Sequence, residues 1–587
     1  MPFSRFQSFF RFRASCLASA SLLTLAAGAS AQKAPAPFGL HDGDRVVFYG
    51  DSITDQRLYT TDAENYVITR FPGLNVTFVH SGWGGDTVQG GGGGPIDLRL
   101  PRDVIAYKPT VMTVMLGMND GGYHAFDDKT FGAYTQGYTH ILDTVRAALP
   151  GLRLTLIQAS PFDDVTRAPG FAGGYNAVLV RYGQYVKETA QKGGMGVADM
   201  NTPMVAMLAK ANAADPALAQ KILPDRVHPS PAGHLVMAEA LLKSWNAPAV
   251  VTDVWIDAAG KKVVHAENSR VSDLTVGQTV SWTQSDATLP LPLQSGEPLT
   301  ALVLKSSDFL AALDQENLRV SGLKPQTRYT LKIDGQEAGD FTGTQLAGGI
   351  NLATLPTPMA RQAASVAALT NKHNDQHFQR WRTIQVPLEG HKNGAVSSAL
   401  PPLLAALDAE EAETVARRRE AAQPVPHRYE VAVTLPDPTG PNLALGKPYT
   451  SSAPNTYGYG TGGLTDGSWE ASGAHTFATD DADTFPKTAT VDLGAPVRLG
   501  AVRVGIPPFG STKTIRVSLS TDGQKFTEIG SYVFSQRREE RYLYKFASAS
   551  ARYVRLTFAD HYDEEADFSR NFAFAAEVEA YAPAGAG

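Results

Sequence analysis

Between residue 44 and about residue 245 the chain alternates short apolar runs with amphipathic stretches, and that alternation narrows the available folds more than any other feature. Segments 45–49, 75–79, 111–116 and 152–157 are strand-length apolar runs bounded by Gly, Pro and Asp, whereas 138–149, 175–191 and 231–245 carry helical periodicity. Strands separated by helices imply a parallel sheet covered on both faces. In such sheets reactive groups gather beyond the carboxyl ends of the strands.

Ser52 follows the first run, in Gly50-Asp51-Ser52-Ile53-Thr54, on a turn that puts its hydroxyl at that edge. A serine hydroxyl needs a base to take its proton. His228, in Leu223-Pro224-Asp225-Arg226-Val227-His228-Pro229, is the candidate base. Asp225, three residues earlier, can accept the ring Nδ1–H, fix the tautomer and stabilise the imidazolium. His234 is the near rival as base, but it lacks a carboxylate at that offset. Negative charge developing on a carbonyl oxygen needs donors aimed at it. Gly85, in Ser81-Gly82-Trp83-Gly84-Gly85-Asp86-Thr87, offers a backbone N–H; Asn119, in Gly117-Met118-Asn119-Asp120, offers its amide; Ser52 offers its own N–H. The glycines of 90–94 are followed by no Gly-Lys-Ser/Thr and read as a loop at the rim.

These four blocks resemble those of the SGNH/GDSL hydrolases, in the family's order, over roughly residues 44–245. The resemblance implies a flavodoxin-like, three-layer α/β fold on a parallel sheet and ester hydrolysis through an acyl-enzyme, with no cofactor for catalysis. It assigns Ser52 as nucleophile, Gly85 and Asn119 as oxyanion donors, and Asp225 with His228 as the remaining catalytic pair. The Gly-x-Ser-x-Gly elbow of the α/β-hydrolases is absent around Ser52.

At 587 residues the chain holds several domains. After a hydrolase domain spanning 32–250, residues 251–345 are strand-like pieces between turns, predicting a small β-sandwich in which 318–323 and 328–333 are antiparallel neighbours. Residues 346–434 read as helical, chiefly over 358–382 and 403–422, and are expected to pack back on the hydrolase, since two helices have little core of their own. His373 and His377, four apart on a helix, have a spacing that can hold a metal, but no His-Glu-x-x-His glutamate accompanies them. Arg380, Trp381 and Arg382 follow as a cluster able to fold back toward substrate.

A Pro-rich linker, 435–441, precedes a strand-rich, aromatic region over 442–583 that predicts a second β-sandwich. Asn442-Leu443-Ala444-Leu445-Gly446-Lys447-Pro448 and Leu464-Thr465-Asp466-Gly467-Ser468-Trp469 resemble the discoidin or coagulation factor 5/8 type C family. That resemblance implies a galactose-binding-like jelly roll, commonly a carbohydrate-binding module in bacterial enzymes. It also implies a structural Ca²⁺ near the Asp-Gly turn, with Asp466 and Glu577 as oxygen ligands. Tyr457, Tyr459, Trp469 and Phe509 are the aromatic candidates for sugar contact.

A net charge of -6, with no Lys/Arg cluster interleaved with aromatics, argues against a nucleic-acid partner. Arg5, Arg11 and Arg13 precede an apolar stretch over 16–27, and Ala29-Ser30-Ala31 precedes Gln32. This is the pattern of a signal peptide over 1–31 cleaved near Ala31/Gln32, so the mature protein is expected to be secreted or periplasmic and not inserted in a membrane. Cys16 is the only cysteine, which leaves the mature chain without disulfides. Together these features predict a secreted serine esterase that deacetylates a polysaccharide held by its last domain. A lipid esterase or thioesterase of the same fold, and a non-catalytic polysaccharide-binding protein, are the alternatives.

Overall fold

The computed structural model describes residues 37–458, 463–563 and 567–584; the expected signal peptide and Tyr459 lie outside the described residues. The first apolar runs form a five-stranded parallel sheet in the spatial order Thr77–Gly82, Arg45–Gly50, Val111–Met115, Arg153–Gln158, Gly196–Asp199. This 2-1-3-4-5 order is the flavodoxin-like one, whose switch point lies between the first and third strands. The middle strand Val111–Met115 is buried at every residue, as a strand with both faces covered must be. Helices Leu58–Arg70, Asp128–Ala148, Gly174–Lys192 and Pro231–Ser244 contribute Tyr66, Tyr138, Leu179 and Leu241 to the core with Phe48, Met112 and Leu156. Asp127 and Ser230 cap two of these helices with their side chains, and Pro231 takes the first position where no N–H is needed.

The second module is two sheets around a shared core of Val254, Trp282, Leu318, Leu331 and Tyr429. One runs Ser269–Val276, Thr279–Asp286, His427–Val433, Arg328–Ile333, Gln336–Thr342, and the other Ile350–Asn351, Gln315–Ser321, Val250–Asp257, Lys262–Glu267. The two segments expected to be antiparallel neighbours therefore sit in different sheets: Gln315–Ser321 pairs parallel with Val250–Asp257, and Arg328–Ile333 pairs with His427–Val433. Gly322 explains the divergence. Its φ is +81°, and a Cβ there would come 2.5 Å from the Ala259 nitrogen, so the chain turns tightly against the sheet edge and crosses over. Residues 427–433, inside the span read as helical, are a strand at the middle of the first of these sheets, with His427, Tyr429 and Val431 buried in alternation.

The chain also crosses back. Between these strands, Leu302, Val303, Phe309 and Leu313 pack into the hydrolase core. The helix Pro358–Phe378 buries Met359, Ala363 and Val366 in the sandwich core, while further along it Asn374 donates to Thr61 and Glu64 of the hydrolase. Arg418, from the helix Gly394–Ala421, bonds Glu64 at 2.6 Å.

The last module is an antiparallel sheet in which the long strands Lys487–Ile506 and Glu540–Phe558 pair along most of their length, flanked by Tyr449–Ser451, Thr514–Ser520, Thr527–Val533 and Glu577–Tyr581. A short pair, Phe477–Ala478 with Phe574–Ala575, shares its core. Among the described residues no helix is long and apolar enough to cross a membrane.

Candidate active site

The carboxyl ends of three adjacent strands supply the site. Arg45–Gly50 leads into the short helix Ser52–Asp55, whose N-cap, Asp51, accepts from the Ile53 N–H. Gly50 must be small: a Cβ would come 2.3 Å from the Thr54 hydroxyl and 2.7 Å from the Met115 carbonyl. The Ser52 N–H opens the helix and so has no acceptor within it. The turn after Pro224 brings up the candidate base. His228 Nε2 is 2.7 Å from Ser52 Oγ, and His228 Nδ1 is 2.6 Å from Asp225 Oδ2. The other Asp225 oxygen accepts the N–H groups of Val227 and His228, a turn made possible by Arg226 at φ +74°. Partial burial works against the Asp225 charge, but these N–H groups and the imidazole hold its carboxyl below the usual range.

His234, the rival base, is buried and spoken for: its Nδ1 accepts from the Tyr59 N–H and its Nε2 meets Gln56. Burial, aided by the nearby His228, pushes it down to about 3, so it stays neutral.

The candidate donors follow the two strands that flank Arg45–Gly50, whose Gly82 and Met115 are level with Gly50. Strand Thr77–Gly82 ends in a tight turn closed by the Asp86 N–H on the Trp83 carbonyl, with Gly85 at φ +78°. A Cβ on Gly85 would meet nothing within 4 Å, so its glycine is demanded by the backbone angle and not by crowding. The neighbouring Gly84 N–H is already committed to Asp55 Oδ2 at 3.0 Å. After strand Val111–Met115, Asn119 gives one amide hydrogen to the Asp86 carbonyl and accepts the Tyr123 hydroxyl on Oδ1. Both bonds fix which way the amide faces and leave its second N–H for another acceptor. Sequence reasoning did not single out Tyr123 or Asp55. Tyr123 sits only four residues after Asn119, which was the available signal. Behind the site, burial pushes Asp51 up to about 7 and Asp120 up to about 6, and each carries one buried oxygen without a partner.

The other candidates separate. His373 and His377 both face Glu411, at 3.8 and 3.4 Å, and no group of three or more His, Cys, Asp or Glu side chains able to hold a metal occurs among the described residues. Arg380 pairs with Asp408, whereas Trp381 and Arg382 reach the hydrolase. In the last module Tyr457 and Phe509 belong to one aromatic cluster through Phe572 and Phe574. Trp469 packs elsewhere, against Gly505 and under the Arg541 guanidinium. Asp466 pairs with His475 at 2.6 Å, and Glu577 is buried against the backbone N–H groups of Asp466 and Gly467. Burial, added to by the Asp466 charge, pushes the Glu577 carboxyl up to about 8. A buried carboxylate beside a second carboxylate fits a hard cation.

A serine hydroxyl bonded to an imidazole that is bonded in turn to a carboxylate, at the carboxyl edge of a flavodoxin-like sheet, defines a hydrolase of the Ser-His-Asp kind. Residues 48–236 match the model of the GDSL-like lipase/acylhydrolase family, and residues 463–556 match that of the NedA-like, galactose-binding domain. The chain thus carries a GDSL-like acylhydrolase domain and an F5/F8 type C-like galactose-binding domain, and it is an ester-hydrolysing enzyme. It is 28% identical over 221 residues to an acetylxylan esterase of Geobacillus stearothermophilus, covering 34% of this chain and 93% of that protein. It is also similar to the solved structure of a gut microbial diltiazem-metabolizing enzyme, with a TM-score of 0.59 and 27% identity over 68% of this chain and 99% of the other.

Proposed function

We propose that the protein is a secreted serine esterase that removes acetyl groups from a polysaccharide to which its last domain binds. The observation that carries the esterase chemistry is the 2.7 Å contact between Ser52 Oγ and His228 Nε2, continued at 2.6 Å to Asp225. In the mechanism, Ser52 Oγ attacks the ester carbonyl as its proton passes to His228 Nε2. The oxyanion accepts the N–H groups of Ser52, Gly85 and Asn119. The tetrahedral intermediate collapses, the C–O bond breaks, and His228 returns its proton to the departing sugar hydroxyl. Water, deprotonated by His228, then attacks the acetyl-Ser52 ester and releases acetate and the free serine.

Support for the polymer is of a different kind. The acetylxylan esterase likeness and the galactose-binding-like domain point toward a glycan, and tethering on the polymer would raise the local concentration of its esters. The Tyr457 and Phe509 cluster is the sugar face we favour. Asp466 and Glu577, with backbone carbonyls, would hold a structural Ca²⁺ that supplies charge balance for Glu577. Export rests on the signal-like segment 1–31.

Acetate release from acetylated xylan, pectin and other glycans tests the substrate. Wild-type enzyme is expected to release acetate from at least one of them, and preference for long acyl chains over acetyl would overturn the carbohydrate reading.

A further inference from the structure

Gly85 stands in a turn bonded to two carboxylates, one reached directly by a segment some 300 residues downstream and the other only through Arg99 and Asp103. Asp55 holds the Gly84 N–H on Oδ2, and its Oδ1 lies 3.7 Å from the Arg382 guanidinium. That guanidinium lies over the Trp83 ring, 3.1 Å from its centroid. The second carboxylate, Asp86, pairs with the fully buried Arg99, which also bonds the Ser81 carbonyl at 2.8 Å and Asp103 Oδ2 at 2.5 Å. The remaining Asp103 oxygen accepts the Trp381 indole N–H at 2.8 Å, and the Trp381 ring meets Trp83 edge to face. The chain from 81 to 86 is therefore gripped at Ser81, Trp83, Gly84 and Asp86 by groups that end on Trp381 and Arg382.

Both residues ride on the π-helical turn Gln379–Gln385, where the helix Pro358–Phe378 widens before it ends. Such widenings re-aim side chains and recur at functional sites. Trp381 is only 1% exposed, and one Arg382 nitrogen is buried without a hydrogen bond, so neither side chain is there for solvation. A guanidinium held by stacking and one long ion pair is placed to steady Asp55.

We propose that Trp381 and Arg382 are positioning residues for the oxyanion loop, so that a segment outside the hydrolase domain completes its active site. They act through Asp55 and Asp103 on the direction of the Gly85 N–H and touch no reacting atom. This rests on the reading of Gly85 as an oxyanion donor. Misplacement of such a donor by about 1 Å can cost on the order of 100-fold.

The test uses the full-length chain and p-nitrophenyl acetate. Arg382→Met keeps the stem on Trp83 and removes the charge; it is expected to lower kcat about 10- to 100-fold, with KM and the melting midpoint unchanged. Arg382→Lys should recover most of the loss. Asp55→Asn should give a similar loss, and the double variant no more than either single one, since both act through one contact. The proposal is overturned by an unchanged kcat, by a rise in KM alone, by a loss that tracks a falling melting midpoint, or by additive losses in the double variant. A wild type without turnover, or Ser52→Ala with full turnover, would instead remove the esterase reading beneath it.

Discussion

Ser52, Asn119, Asp225 and His228 each hold a group whose orientation is fixed by a hydrogen bond to a neighbour. For Asn119 those contacts are the Asp86 carbonyl and the Tyr123 hydroxyl. Asn119→Ala should therefore lower kcat about 10²- to 10³-fold with little change in KM, because the lost donor serves the transition state more than the bound ester; steady-state kinetics on p-nitrophenyl acetate read this directly. Asp225→Asn keeps the shape of the turn but replaces a charged acceptor beside the imidazole. Since the Asp225 side chain is 54% exposed, water can partly substitute, and the expected loss in kcat falls short of the roughly 10⁴ seen for a fully buried partner. At this scale the sequence was informative for the contacts, since Ser52, Asp225 and His228, which the structure brings within hydrogen-bond reach, each lie in a short block. Asp55 was not legible. An aspartate three residues after the serine looks like any helix-end carboxylate until its oxygen is seen on the Gly84 N–H.

At the scale of elements, the helices Pro358–Phe378 and Gly394–Ala421 clamp the hydrolase through Glu64, which is wholly buried and meets Arg418, His80 and Asn374. Burial alone would raise the Glu64 carboxyl, but Arg418 and His80 prevail and bring it down to about 2. Removing one member of a buried pair strands the other, so Arg418→Met should cost about 3–5 kcal/mol, read as a lowered calorimetric midpoint at pH 7. Pairing with Glu64→Gln should restore part of it. The sign follows from a carboxyl whose folded pKa is depressed: its stabilisation is complete above the unfolded value of 4.5 and disappears as the pH falls toward 2. Wild type and Arg418→Met should accordingly converge in stability in acid, and a difference that persists at pH 2 would contradict this assignment. The helices themselves were legible from period, but their partners were not. The strand His427–Val433 shows why: its alternation is seven residues long and follows a helix, so it carries no sign of the two distant strands, Thr279–Asp286 and Arg328–Ile333, between which it pairs.

For the whole molecule, a catalytic sheet, a linking sandwich and an end sandwich share side chains across their boundaries, as Leu302 and Phe309 in the hydrolase core illustrate. The end sandwich contains the Glu577 carboxyl, raised to about 8 by burial. Held protonated in the fold while an unfolded glutamate ionises near 4.5, it makes stability decline between pH 4.5 and 8 in the absence of a cation. Ca²⁺ binds the ionised form, so it should raise the midpoint of this module more at pH 8 than at pH 5, and EDTA should reverse the gain. Equal midpoints with and without Ca²⁺ at pH 8 would contradict the proposed cation site. Whether Ser52 is the nucleophile is read by labelling with a fluorophosphonate followed by peptide mass spectrometry. One adduct is expected, on the peptide containing Ser52, formed slowly in His228→Ala and absent in Ser52→Ala along with turnover of p-nitrophenyl acetate. Turnover by the wild type with the adduct on another residue, or turnover retained by Ser52→Ala, would contradict it.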